Sequence, residues 1–325
     1  MRRMTYQEAL VGAIREEMRR DSRVFLLGED IGIFGGPMMS TKGLWEEFGA
    51  TGRIIDTPIS ESAIVGAGVG AAMMGMRPVV EIMFGEFLAL VMQQLACDAS
   101  CMWYYSAGKT RVPMVLRTKF GVGPHRGHEL DYHSWLIHVP GLKVVMPSTP
   151  YDAMGLMKSA IRDDNPVVFL EHMNLYHWIR QEIPEEEYTI PLGVADIKRE
   201  GRDVTVVATA MMVHHSLDAA EDLSKEGVEV EVVDLRTVAP MDKTTVLASL
   251  KKTGRLVVVH EAWKFGGSGG EVAAMVAEEA FGDLKAPIVR VAPPQIPIPF
   301  STPLNKMYLP DKQKIKSAIR KVLAK

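Results

Sequence analysis

Two spacings of apolar residues alternate along this chain. Short runs rich in Val, Ile and Leu (VFLLGED, RIIDTPI, RPVVEIMF, VPMVLRT, LKVVMP, PVVFLEH) read as strands. Between them, apolar residues recur every three or four positions and predict helices over 5–20, 61–75, 87–106 and 150–162. A second series follows: DVTVVAT, helix 211–226, VEVEVVDLRT, helix 241–252, RLVVVHEA, helix 268–281 and PIVRVAP. The stretch QIPIPFSTPLNKMYLP reads as extended, and 311–324 as a short closing helix. Strands alternating with helices predict an α/β fold with parallel sheets covered on both faces.

The 325 residues are long enough for two cores. Residues 181–203, charged and punctuated by proline, read as a linker between a domain at 1–180 and another at 204–325. The start, MRRMTYQEALVGAIREEMRRDSRVFLLGED, carries acidic residues early and lacks the apolar core of a secretion signal, so a cytoplasmic location is expected. No apolar run reaches the roughly 18 residues of a membrane span. The 37 basic and 40 acidic residues give a net charge of −3 and are mixed throughout, which argues against nucleic acid or an anionic membrane as partner. Cys97 and Cys101, four apart in a helical pattern, read as reduced core thiols rather than a redox or metal pair.

Three stretches carry candidate chemistry. The run KFGGSGGEV (264–272) follows a strand and opens a helix, where free N–H groups suit a phosphate. It does not fit GxGxxG, so close helix–strand packing or a protein contact is the expectation. His125, His128, His133 and His138 crowd into fourteen residues, but their spacing matches no zinc pattern. One catalytic histidine in a glycine-rich loop fits better, because imidazole titrates near neutrality. His214 and His215, adjacent on a helix, read as structural.

The third stretch is DTPISESAIVGAGVGAAMMGM (56–76). A carboxylate at a helix start contributes about 0.3–1 kcal/mol through the helix dipole, and Ser60 or Thr57 is placed to cap it. The uncharged run behind Glu61 holds glycines at 66, 68, 70 and 75, each costing helix propensity of about 1 kcal/mol. That cost is tolerated where another helix or a ligand must approach the backbone. Glu61 is therefore expected at the edge of a dry interface, where a carboxyl can hold or share a proton.

RIIDTPISESAIVGAGVGAAMMGMRPVVEIMF, HVPGLKVVMPSTPYDAMGLMKSAIRDDNPVVFLEH, VEVVDLRTVAPMD and PIPFSTPLNKMYLP resemble, in order and over nearly the full length, the beta subunits of thiamine-diphosphate-dependent 2-oxo acid dehydrogenases. This family includes pyruvate, branched-chain 2-oxo acid and acetoin dehydrogenases. The resemblance implies an N-terminal pyrimidine-binding domain and a C-terminal transketolase-like domain. Glu61 matches the glutamate that hydrogen-bonds the cofactor's aminopyrimidine. Met83 and Phe87 match positions lining that ring, with Ile59 beside it, and they lean towards the pyruvate and acetoin members. Counted back from HVPG without a gap, His128 falls on the family's active-site histidine, implicated in proton handling and acyl transfer. The usual His-Ser-Gln is His128-Glu129-Leu130 here, and His133-Ser134 competes for the match only with a five-residue gap. Met114, Ala160, Ile161, Asp163 and Asn165 match a structural potassium site made largely of backbone carbonyls.

Thiamine-diphosphate enzymes of this type hold magnesium and diphosphate with Gly-Asp-Gly followed by paired asparagines; this chain has LLGEDIG rather than Gly-Asp-Gly, and Asn165, Asn174 and Asn305 are never adjacent. The resemblance implies that a separate alpha subunit holds that end, in an α2β2 tetramer, with the acyl unit of a 2-oxo acid or acetoin passing to a lipoylated acyltransferase. A two-chain transketolase-type enzyme acting on sugar phosphates and a non-catalytic scaffold subunit are the competing readings. A Rossmann oxidoreductase lacks its dinucleotide fingerprint.

Overall fold

The computed structural model describes residues 1–123 and 127–325, so His125 lies outside the described residues. The chain divides into two compact units: Met1–Phe120 with Trp135–Leu192, and Gly121–Ser134 with Gly193–Lys325. In chain order the first elements are β1 (Arg2–Thr5), α1 (Tyr6–Arg20), β2 (Val24–Gly28), α2 (Trp45–Phe48) and β3 (Ile54–Asp56). They are followed by α3 (Glu61–Met73), β4 (Arg77–Phe84), α4 (Leu88–Gln93), α5 (Met102–Tyr105) and β5 (Val115–Phe120). Next come α6 (His133–Ile137), β6 (Lys143–Val145), α7 (Pro150–Arg162), β7 (Val167–His172), α8 (Leu175–Trp178) and β8 (Arg180–Ile183).

Within the first unit, parallel strands pair in the order β6-β7-β5-β4-β2-β3. β2 thus lies between β3 and β4, and α3 carries the chain over it. Ligands of open α/β sheets bind outside the carboxyl ends of strands at such a reversal. β1 and β8 form a separate antiparallel ribbon. α1 is fixed by a Thr5–Glu8 capping box and has Arg19 and Arg20 in its last turn, while α7 starts on Thr149 with Pro150 in its first turn.

The remaining elements are β9 (Asp196–Arg199), β10 (Val204–Ala208), α9 (Met211–Ser224), β11 (Val230–Asp234), β12 (Thr237–Ala239), α10 (Lys243–Thr253) and β13 (Leu256–Val259). The chain ends with α11 (Gly269–Glu279), β14 (Val289–Val291), α12 (Thr302–Tyr308) and α13 (Lys312–Leu323). The second unit's sheet runs β14-β13-β10-β11-β9, parallel except for the antiparallel edge strand β9.

Two expected elements are corrected. The single helix over 87–106 is broken into α4, a π-helical stretch Gln94–Ala99 and α5, after a 3₁₀ turn at Gly85–Phe87. The tail read as extended contains α12, because Pro303 sits in its first turn, where no N–H is needed.

Charged residues stand inside the first unit's sheet. Arg117 on β5 makes a bidentate pair with Glu171 on β7, at 2.7 and 2.8 Å, and lies 3.1 Å from Glu81 on β4. Lys119 reaches Glu81 at 2.7 Å, as does the Ser40 hydroxyl at 2.8 Å, and Tyr176 donates to Glu171. All four ionic groups are buried. Burial pushes the Glu81 carboxyl up, but Lys119 and Arg117 outweigh it and hold it below its ordinary value. Arg117→Met would leave two buried carboxylates with one cation, at a cost of about 3–5 kcal/mol. Equilibrium urea unfolding should show that loss. Arg117→Lys should recover little of it, since an ammonium cannot make the bidentate pair.

Candidate functional site

The start of α3 is unusual for what it leaves undone. Ser60 occupies the N-cap position without a side-chain cap bond, and the Thr57 hydroxyl is buried without a partner, so neither supplies the expected cap. Asp56 is engaged elsewhere, accepting from the Gly32 N–H at 2.9 Å. Glu61, only 9% exposed, opens the helix, while Ile59 just before it is 80% exposed.

Beside Glu61 stands a carboxylate that the sequence reading missed. Glu29 follows β2 directly, is buried, and has one oxygen, Oε1, without a partner. Burial, then the charges of Glu61 and Asp30, push its carboxyl above the ordinary value, against a hydrogen bond from the Ser60 backbone. Asp30 adopts a left-handed φ of 54°, which turns the chain sharply after Glu29. Glu61 thus stands close enough for its charge to favour the protonated form of Glu29.

The pair sits at the carboxyl ends of β2 and β3. β4 lies alongside, with Glu81 in register with Gly28. Two residues beyond, Met83 is half-buried, and Phe87 in the following 3₁₀ turn is also half-buried, its ring 6.4 Å from Phe84. Behind them, α3 is held close to the sheet: a Cβ on Gly68 would fall 2.5 Å from Val80 Cγ2 and 3.0 Å from Met114 Sδ. Its other face, with Ser62, Ala63, Ala67 and Gly70, is exposed and small-sided.

The five residues matched to a potassium site meet around the α7–β7 turn. The carbonyls of Ile161 and Asp163 each accept from Arg77 Nη1 at 3.0 Å. The Ala160 carbonyl accepts from Asp163 N at 3.3 Å and that of Met114 from Val167 N at 2.9 Å. The Asp163 carboxylate takes both Asn165 N (2.8 Å) and Nδ2 (2.9 Å) and pairs with Lys143. Two of the four carbonyls are thus already bonded to the Arg77 guanidinium.

His128 and His133 belong to the second unit. His128 is half-buried, after Gly127 at φ 89°. His133 is fully buried: Nδ1 lies 2.6 Å from Asp131 Oδ1 and Nε2 2.7 Å from Ser268 Oγ. Burial pushes Asp131 up, but the adjoining His133 outweighs it and holds the carboxyl below its usual range. His260 packs edge-on to His133 at 6.2 Å; burial, then His133, lowers it to about 4, so its ring is neutral near pH 7. Cys97 is exposed and Cys101 half-buried, both as free thiols. Among the described residues no three His, Cys, Asp or Glu side chains cluster as metal ligands, and no helix is long and apolar enough to cross a membrane.

Residues 2–177 match the transketolase pyrimidine binding domain and residues 193–315 the transketolase C-terminal domain. The chain is 45% identical to the 2-oxoisovalerate dehydrogenase subunit beta of Bacillus subtilis, covering 98% of both chains. It is 46% identical to the pyruvate dehydrogenase E1 component subunit beta of the same organism, covering 99% of both. Against the acetoin:2,6-dichlorophenolindophenol oxidoreductase subunit beta of Cupriavidus necator it is 45% identical, over 99% of this chain and 98% of the other. A solved split-gene transketolase, an inactive beta4 tetramer, superimposes with a TM-score of 0.81 at 22% identity, covering 99% and 98% of the two chains; this bears on the fold alone. The chain belongs to the family of beta subunits of thiamine-diphosphate-dependent 2-oxo acid and acetoin dehydrogenases. Identity to the three relatives is so even that it does not choose among their substrates.

The acid pair costs stability, and the sign can be tested. Because the folded value of Glu29 is raised above 4.5, its burial carries no penalty below that pH and an increasing one as pH rises through the folded value. Glu29→Gln should therefore raise the thermal midpoint at neutral pH, with the gain vanishing below about pH 4.5. Differential scanning calorimetry across that range checks it.

Proposed function

We propose that this chain, with an alpha subunit in an α2β2 heterotetramer, converts a 2-oxo acid or acetoin and passes the acyl unit to a lipoylated acyltransferase. The observation that carries the reading is Glu61, buried at an uncapped helix start beside Glu29, on a chain of this family. Bound thiamine diphosphate supplies the nucleophilic carbon and the electron sink for C–C cleavage. The Glu61 carboxyl holds or shares a proton with a ring nitrogen of the aminopyrimidine, and the adjoining Glu29 keeps a proton available to the pair. Met83, Phe87 and Ile59 line the ring and exclude water from it. His128 moves a proton at the reacting carbonyl and assists acyl transfer.

The alpha subunit would hold the diphosphate and Mg²⁺, since LLGEDIG offers no Gly-Asp-Gly for them. The bare face of α3, where a methyl group on Gly70 would meet no atom within 4 Å, suits a closely approaching subunit. The functional division is that of residues 1–180 and 204–325 about the stretch 181–203, and the location is cytoplasmic. A structural potassium ion would take the second lone pairs of the Ala160, Ile161, Asp163 and Met114 carbonyls, with Asn165.

Glu61→Ala in the co-purified complex should lower kcat on pyruvate, branched-chain 2-oxo acids or acetoin by at least ~100-fold, with the tetramer intact by size-exclusion chromatography. Wild-type activity in that variant would sink the proposal. Replacing Na⁺ by K⁺ at equal concentration should raise the thermal midpoint of the complex by a few degrees, as a ligand bound only by the folded state does. Choline should behave as Na⁺.

A further inference from the structure

The glycine-rich run after β13 turns out to be built around histidines. Ser268 stands at the N-cap of α11, where a serine ordinarily accepts from a backbone N–H two or three residues on. It makes no such bond, and its hydroxyl lies 2.7 Å from His133 Nε2. On either side, a Cβ at Gly267 would fall 2.4 Å from His260 Cε1, and one at Gly269 would fall 2.7 Å from His260 Nε2. The glycines make room for His260, whose Nδ1 donates to the Ala262 carbonyl at 3.0 Å, and His260 in turn packs on the ring of His133.

The proton positions follow from the partners. Asp131 Oδ1 faces His133 Nδ1 at 2.6 Å and the His133 backbone N–H at 3.0 Å, so Nδ1 carries a hydrogen. When the ring is neutral, Nε2 accepts from the Ser268 hydroxyl. This order of Asp, His and Ser resembles a hydrolytic triad, but Ser268 is 3% and His133 0% exposed. The adjoining cavity, lined by Glu129, Asp131, Glu261 and Tyr308, has about 10 Å³, room for roughly one water. No acyl substrate reaches the serine.

What the chain of bonds does hold is the loop containing His128, three residues before Asp131. Between His128 and Asp131, the Glu129 carboxylate accepts from Gly123 N at 3.0 Å and the Glu129 carbonyl from Gly121 N at 3.3 Å, bonds to residues that precede His128. Glu261 accepts from Val122 N at 2.5 Å. A serine at 129 would end two carbons short of that reach. We propose that the Asp131–His133–Ser268 chain, seated by Gly267 and Gly269 against His260, is the positioning device that holds His128 for acyl transfer, with Glu129 bonded back to Gly121 and Gly123. The proposal rests on His128 acting as stated under Proposed function.

The test uses the complete complex, with steady-state acylation of free lipoamide as the readout. Ser268→Ala and His133→Gln should each lower kcat about tenfold or more with KM changed less than about twofold, as expected when geometry at the reacting atoms is loosened. In a double-mutant cycle with His128→Ala, neither should lower activity further, because the residue being positioned is gone. Asp131→Asn, which still accepts from Nδ1–H, should retain more activity than Asp131→Ala, and this comparison holds should His133→Gln fail to fold. Wild-type kcat in Ser268→Ala and His133→Gln, or losses that add to that of His128→Ala, would overturn the positioning role. Full activity in His128→Ala would instead refute the assignment of His128 and take this inference with it.

Discussion

The first unit depends on two cations and two carboxylates buried together in its sheet. Glu81, Arg117, Lys119 and Glu171 sit on three neighbouring strands, and each strand supplies part of the balance. Hydrophobic residues would make such a sheet at least as stable, and a buried ion pair is weak evidence of stabilisation by itself. Its effect is on register: a slip of one residue would turn these side chains to the opposite face and strand each charge. The strand ends beyond the quartet, where Glu29 and Met83 stand, inherit that fixed register.

Much of the fold was legible because it is locally written. The strand runs and helices of both α/β series follow from periodicity alone, and Glu61 stood out against an uncharged, glycine-laden helix. What escaped was whatever depends on distant partners. Glu81, Arg117, Lys119 and Glu171 looked like ordinary polar positions in RPVVEIMF, VLRTKF and VVFLEH, since nothing local says that they neutralise one another. Glu29 acquires its meaning only from Glu61, and Ser268 only from His133, 135 positions away in the chain. The broken helix after Phe87 shows the same limit: apolar spacing continues through 94–99 although the backbone there widens to a π-helix. At the C-terminal tail, the stretch read as extended contains α12, with Pro303 in its first turn.

Side chains released from routine structural work mark both candidate sites. Ser60 and Thr57 leave α3 uncapped, and Ser268 leaves α11 uncapped. Each omission forgoes about 1 kcal/mol of helix stability. In the first unit the uncapped start faces an acid pair; in the second the diverted hydroxyl ends a hydrogen-bonded chain leading to the His128 loop. Glu129 fits this arrangement, because its carboxylate reaches the Gly123 N–H at 3.0 Å.

The fit of His260 against Gly269 also orders the paths by which this sequence can drift. With the imidazole present, a methyl at 269 collides with it; once the residue at 260 has become smaller, that obstacle at 2.7–2.8 Å is gone and the next nearest atom is the Val258 methyl, at 3.2 Å. Alanine at 269 is therefore admissible second and not first. Descendants of this chain that carry it should already have lost the histidine, which makes the pair a directional record of substitution.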